Sequence, residues 1–184
     1  RTPVAHFREL RDSGNNQCWD ETAWREMVEL GWSGILVPEK FGGSEFGMAG
    51  IGVIMQELGK TLTPSPILST SVLGVSTINM LGSDEQKENY LPKIITGELT
   101  TALAIDEGNH HDPFAIETTA VLDGDKWVLN GKKVFVVDGA SAGTVLIVAR
   151  TSGKSGEING ISVFAANQES AGLDITKIAT ADSR

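Results

Sequence analysis

A single cysteine, Cys18, in 184 residues leaves no room for an internal disulfide framework and is the usage expected of a reducing cytoplasm. Long apolar runs are lacking too: none approaches the roughly 20 residues a membrane helix needs. Basic residues are scarce, with 15 Lys and Arg against 24 Asp and Glu, a net charge of −9. The deficit is spread along the chain, so no basic patch is available for a nucleic-acid backbone. A methionine start and a signal pattern are both missing before Arg1, which is what a fragment of a longer chain would show. There is no internal repeat and no low-complexity tract.

Nucleotide motifs are missing as well. Gly50-Ile-Gly52 lacks the third glycine of a dinucleotide fingerprint and follows no strand. Gly131-Lys132-Lys133 lacks the upstream glycine loop that would make it a phosphate cradle.

What is present divides near Thr100, where the period of the apolar residues changes. Before it they recur at helical spacing. A short helix is expected within residues 1–14, ending at Gly14. A second is expected from the Asp20 cap, with Trp24, Met27 and Val28 on one face and Gly31 as the stop. Residues 34–43 hold Pro38 and Gly42-Gly43 and read as a loop. A third helix is expected from about Met48 to Leu58, stopped by Gly59. The stretch Ile67 to Leu81 reads as a helix without a charged face, hence buried or beside a ligand. Ser83-Asp-Glu-Gln86 has the form of a capping box, and Pro92 is expected to kink the helix it starts or to mark a fresh one.

After Thr100 the period is two. Strands are expected at residues 115–122, 144–149, 160–165 and 173–178, with Asp123-Gly124 and Asn130-Gly131 as hairpin turns. The chain is therefore expected to be α+β: a helical domain over residues 1–99, then a mostly antiparallel β-sandwich or barrel over residues 100–184.

The polar loop at the changeover holds Glu107, His110, His111 and Asp112. These are metal-ligating types, but adjacent histidines point in different directions and no further His or Cys has matching spacing, so an ordinary solvated turn accounts for them as well. Phe135 and Val137 alternate on a presumed strand, where Phe135 is either a core aromatic or a flat wall against a planar ring.

Several segments in order resemble the acyl-CoA dehydrogenase family. They are Trp24…Met27-Val-Glu-Leu-Gly31, Val37-Pro-Glu-Lys-Phe-Gly-Gly43, Gln56-Glu-Leu-Gly59, Leu81-Gly-Ser-Asp-Glu-Gln-Lys87, Tyr90-Leu-Pro92, Val128-Leu-Asn-Gly-Lys-Lys133 and Val136-Val-Asp-Gly139. The resemblance spans residues 20–182. It implies FAD as cofactor, an acyl-CoA substrate desaturated between its α- and β-carbons, electron-transfer flavoprotein as acceptor, and a homodimer or homotetramer; a cytoplasmic location is expected only from the missing signal pattern and the single cysteine. By position it implies that Leu103, Ile105, Asp106, Phe135 and Val137 meet the flavin. It sets Ser69, Leu73 and Val72 along the acyl chain, and His111 and Asp112 near the substrate. Two departures stand out: Val137 replaces a hydroxyl residue, and His111 or Asp112 stands where the family has a serine. No metal is implied. The catalytic carboxylate is expected beyond Arg184, in a C-terminal helical domain, so this chain alone is expected not to catalyse the reaction. A same-fold oxidase, a flavin monooxygenase or a non-catalytic subunit of a heteromeric dehydrogenase are the alternatives.

Overall fold

The computed structural model describes residues 4–14, 17 and 19–178, and in it helices fill the first half of the chain and strands the second. The expected α+β order holds. Cys18 and residues 179–184 lie outside the described residues.

Helix α1 runs Val4–Asp12 and α2 runs Glu21–Glu29. The Asp20 carboxylate accepts the Ala23 amide at 2.8 Å, meeting one orphan donor of the first turn of α2. Gly31 follows the last turn with a left-handed φ of 77°. Helix α3, Gly47–Thr61, runs through Gly59 and ends at Leu62. A glycine inside a helix costs about 1 kcal/mol. Here the apolar stripe of Ile51, Ile54, Met55 and Leu58, packed with Trp24, Met27, Ile35 and Ile67, outweighs it.

The stretch expected as one helix is two. Ile67–Gly74 is π-helical, and α4 continues as Val75–Leu81. Helix α5, Asp84–Ile95, starts with the expected capping box, in which Ser83 and Gln86 each accept the other's amide. It passes Pro92 without a fresh start. Leu91 and Ile94, both fully buried, hold the helix across the missing N–H by packing on Val37, Val75 and Ile78.

Five strands form one mixed sheet: β1 Thr101–Ala104, β2 Thr119–Asp123, β3 Lys126–Asn130, β4 Thr144–Arg150 and β5 Ile161–Asn167. The longer ladders, β2–β3 and β4–β5, are antiparallel. Strand β1 lies parallel to β4, from Thr101 opposite Thr144 to Ala104 opposite Ile147, and β2 touches β4 through the parallel pair Thr119–Arg150. Every residue of β4 is buried. Its period of two splits it between cores: Leu146 joins Val37, Val75, Ile78, Leu91 and Ile94 on the helical side. Val145 and Ile147 pack with Ala104, Leu129 and Val136 on the other.

Three strand expectations need correction. The first half of 115–122 is unpaired, and 173–178 is irregular. Asn130-Gly131 is not a hairpin turn: the ladder ends at Asn130. A Cβ at Gly131 would overlap Thr118, so the chain there presses on the entry to β2 and turns away.

Arg150 closes β4 with its guanidinium buried. Nε donates to the carbonyl of Ile116, Nη1 to Ser152 and Asn159, and Nη2 to Phe114 and Glu157. All five donors of the fork are thus spent on backbone, tying two loops to the strand end. Arg150→Met should destabilise the fold by about 2–4 kcal/mol, because carbonyls of two loops lose a charged donor at once. A urea midpoint indistinguishable from that of the unsubstituted chain would contradict this.

Candidate functional site

The site begins where β1 ends. Ile105, Asp106 and Glu107 leave the sheet beside Lys133, whose Nζ donates to the Ile105 carbonyl at 2.9 Å and to Glu107 Oε1 at 2.6 Å. The same Glu107 carboxylate accepts the amides of Glu117 at 2.7 Å and Thr118 at 3.0 Å. Both side chains are nearly buried, 9% exposed for Lys133 and 13% for Glu107. The Val134 amide then donates to the Asp106 carbonyl at 2.8 Å. One ion pair therefore gathers the end of β1, the entry to β2 and the exit from β3.

Burial alone would raise the Glu107 carboxyl, but the bonds from Lys133 and from the Thr118 and Glu117 amides outweigh it and hold its pKa below the ordinary value. Burial lowers the Lys133 ammonium, and attraction to Glu107 offsets only part of that.

Beyond Lys133 the chain is not a strand. Phe135 and Asp138 take left-handed φ values of 54° and 56°. Such values cost non-glycine residues of order 1–3 kcal/mol each and persist only where surroundings over-determine them. Val136 points into the sheet core, while Phe135 and Val137 stand 56% and 46% exposed on either side of it. Asp138 is fixed from the other direction: its Oδ2 accepts the Ser69 hydroxyl at 2.7 Å.

That bond brings the π-helix to the site. Ser69, Thr70, Ser71 and Thr101 are fully buried. The Thr70 hydroxyl accepts the Thr101 amide at 3.0 Å and donates to its carbonyl at 3.3 Å. A Cβ at Gly74 would overlap the Thr101 hydroxyl, so only glycine lets the helix lie this close to β1. The missing charged face is explained by this contact, since one side of the helix is packed against a strand.

The expected residues thus fall into three groups. Ile105 and Asp106 are bonded to Lys133 and Val134, the residues that lead into Phe135 and Val137. Leu103 sits on the helical side of β1 and packs with Leu146 and its neighbours, half-buried. Ser69 requires correction: it does not line an open channel, because it is fully buried and its hydroxyl is committed to Asp138. Val72 packs with the Trp24 cluster and Leu73 is half-buried. His111 and Asp112 lie on the exposed loop. His111 Nδ1 is 3.0 Å from Asp106 Oδ1, and Asp112 Oδ1 accepts the amides of Phe114 and Ala115.

Glu107 turns inward to Lys133 and away from the histidines, which disperses the metal-like cluster. Among the described residues no group of three or more His, Cys, Asp and Glu could hold a metal ion. Nor, among them, is any helix long and apolar enough to cross a membrane. A hollow of about 340 Å³ opens elsewhere, between α1, the end of α3 and Leu68; it is lined by Phe7, Met55, Leu58, Leu62 and Ser65, and has no titratable group.

Sequence reasoning missed Lys133, Asp138, Thr70 and Thr101. A signal existed for one of them: Asp138-Gly139 is turn chemistry.

Residues 3–98 match the family described as "Acyl-CoA dehydrogenase, N-terminal domain", and residues 102–183 match "Acyl-CoA dehydrogenase, middle domain". Acryloyl-CoA reductase (NADH) of Anaerotignum propionicum is 36% identical over 159 residues, 84% of this chain and 40% of the relative. Cyclohex-1-ene-1-carbonyl-CoA dehydrogenase of Geobacter metallireducens is 36% identical over 151 residues, 80% of this chain and 39% of the relative. The solved acyl-CoA dehydrogenase of Geobacillus kaustophilus superposes with a TM-score of 0.77 at 31% identity, covering 92% of this chain and 45% of that one. The chain thus spans less than half the length of these relatives.

The depressed Glu107 carboxyl has a pH signature. Its stabilisation is complete above the ordinary value of 4.5 and is lost as pH falls through the lower folded value. Denaturant midpoints measured below pH 4.5 should therefore fall less steeply for Glu107→Gln than for the unsubstituted chain. Parallel curves would show that the carboxylate adds nothing.

Proposed function

Because the chain belongs to the acyl-CoA dehydrogenase family, we propose that it supplies one flavin-facing wall of an FAD-dependent enzyme that desaturates an acyl-CoA thioester between its α- and β-carbons. The observation that carries this reading is Phe135, a large aromatic held more than half exposed on a strained, anchored turn beside the end of β1. A side chain of that size kept out of the core at conformational expense suits a planar partner.

The residues present fit one face of a flavin ring. Phe135 and Val137 offer an exposed apolar surface, and Ile105 is half-buried beside them. FAD, when bound, supplies the two-electron acceptor for the hydride that leaves the β-carbon. The chain's own residues exclude water from that face and fix its distance from the π-helix. Dry surroundings strengthen whatever hydrogen bonds acidify the α-carbon.

The α-proton requires a carboxylate base, and three carboxylates around the Lys133 turn are hydrogen-bonded within the chain. Glu107 is held by Lys133 and two amides, Asp106 by His111 and the Asp112 amide, and Asp138 by Ser69. On the family resemblance, the reading takes the base from beyond Arg184. His111, through Nε2, and Asp112, through Oδ2, each keep a polar atom for a contact with substrate. Leu73 is left as the candidate for the acyl wall. Electron-transfer flavoprotein as acceptor and a homodimeric or homotetrameric assembly complete the reading.

A second reading is the reverse reaction, reduction of an α,β-unsaturated acyl-CoA. The acryloyl-CoA reductase relative favours it, and the same bonds change in the opposite sense.

The full-length protein carrying this chain should purify with flavin absorption in the visible blue. Under anaerobic conditions the band should bleach on adding a saturated acyl-CoA. A colourless protein that takes up no FAD would overturn the proposal, and bleaching by NADH with reoxidation by an unsaturated acyl-CoA would select the second reading. Phe135→Ala should weaken FAD binding by roughly fivefold to thirtyfold, about 1–2 kcal/mol, followed by flavin fluorescence.

A further inference from the structure

The turn that presents Phe135 is anchored at both ends by polar side chains bonded to residues outside it. At one end Lys133 Nζ holds the Ile105 carbonyl and Glu107, and the Val134 amide holds the Asp106 carbonyl. At the other, Asp138 accepts from Ser69 through Oδ2, while its own carbonyl accepts the amides of Ser141 and Ala142 at 3.0 Å each. Two non-glycine residues of this segment, Phe135 and the anchor Asp138, are at left-handed φ, a conformation that a free Val-Phe-Val-Val-Asp segment would leave for an extended one. Only Val136, of the three central residues, is packed into the sheet core. Core packing therefore does not by itself set the direction of the Phe135 ring.

Resting on the flavin reading above, we propose that Ser69 and Lys133 are positioning residues for Phe135, pinning the two ends of residues 133–138 so that its ring faces the cofactor. Ser69 acts from the π-helix and Lys133 reaches to the end of β1, so the ring is fixed relative to both walls of the site at once. This gives Ser69 a role in orienting the flavin face in place of a contact with the acyl chain. The bond also couples the two walls: a shift of the π-helix is passed to the aromatic through one hydroxyl and one carboxylate.

The two pins are independent, which makes the proposal testable without turnover. A single 4-fluorophenylalanine placed at position 135 of the full-length protein reports the ring directly. Freed of cofactor, the unsubstituted protein should give one narrow fluorine resonance, which moves when FAD is added. Ser69→Ala and, separately, Lys133→Met should split that resonance or broaden it at least about twofold, as a ring exchanging between orientations does. Asp138→Asn, which keeps an acceptor oxygen for Ser69, should retain the narrow line, whereas Asp138→Ala should not. Circular dichroism on each variant separates loss of the turn from loss of the fold. A narrow, unshifted resonance in folded Ser69→Ala and Lys133→Met would overturn the proposal. Broadening in the variants combined with a resonance that FAD leaves unmoved would sink the flavin reading and leave the pins standing.

Discussion

A lysine taken out of water must be met by acceptors, and much of the second half of this chain is arranged around that need. Lys133 sits where three segments cross, with the Ile105 carbonyl and Glu107 as its partners. Glu107 in turn needs donors, and the amides of Glu117 and Thr118 provide them. A buried pair of this kind adds little net stability over an apolar replacement, yet losing one partner leaves a stranded charge. What it supplies here is register. It fixes which residue ends β1, where the chain enters β2, and where the exit from β3 stops being a strand.

The junction between helices and sheet shows the same preference for small polar groups over bulk. Gly74, Thr70 and Thr101 let a helix approach a strand closely enough for a hydroxyl to bond the strand's backbone on both sides. Ser69 extends that junction to Asp138. Large apolar residues would have separated the layers and broken this chain of contacts.

Local chemistry was legible in the sequence; tertiary crossings were not. The Asp20 cap, the Ser83–Gln86 box and the Gly31 stop are written in a few neighbouring residues, and each is present. The apolar run of β4 announced a strand; that every residue of it is buried came from the fold. Residues 133–138 failed the same approach, because Lys-Val-Phe-Val-Val-Asp has strong strand propensity and its partners lie 26 and 69 residues away in the chain. Gly59 failed for the opposite reason, packing having overridden a residue that ordinarily ends a helix, and at Pro92 the helix runs on instead of starting afresh. The candidate site was half legible: its apolar members could be placed by resemblance, while the polar residues that anchor them appear only once the chain is folded back on itself.

The burial of Leu146 has a bearing on how the protein comes off the ribosome. Val37, Val75, Ile78, Leu91 and Ile94 share their cluster with a strand residue more than fifty positions downstream of Ile94. During vectorial synthesis the helical layer therefore emerges with one flank of its interior unsealed, and it stays so until residues 144–150 clear the exit tunnel. Early helices can form, but they wait as an exposed apolar surface, the kind of species that holding chaperones recognise. The two halves are distinct in architecture and a single unit in their maturation.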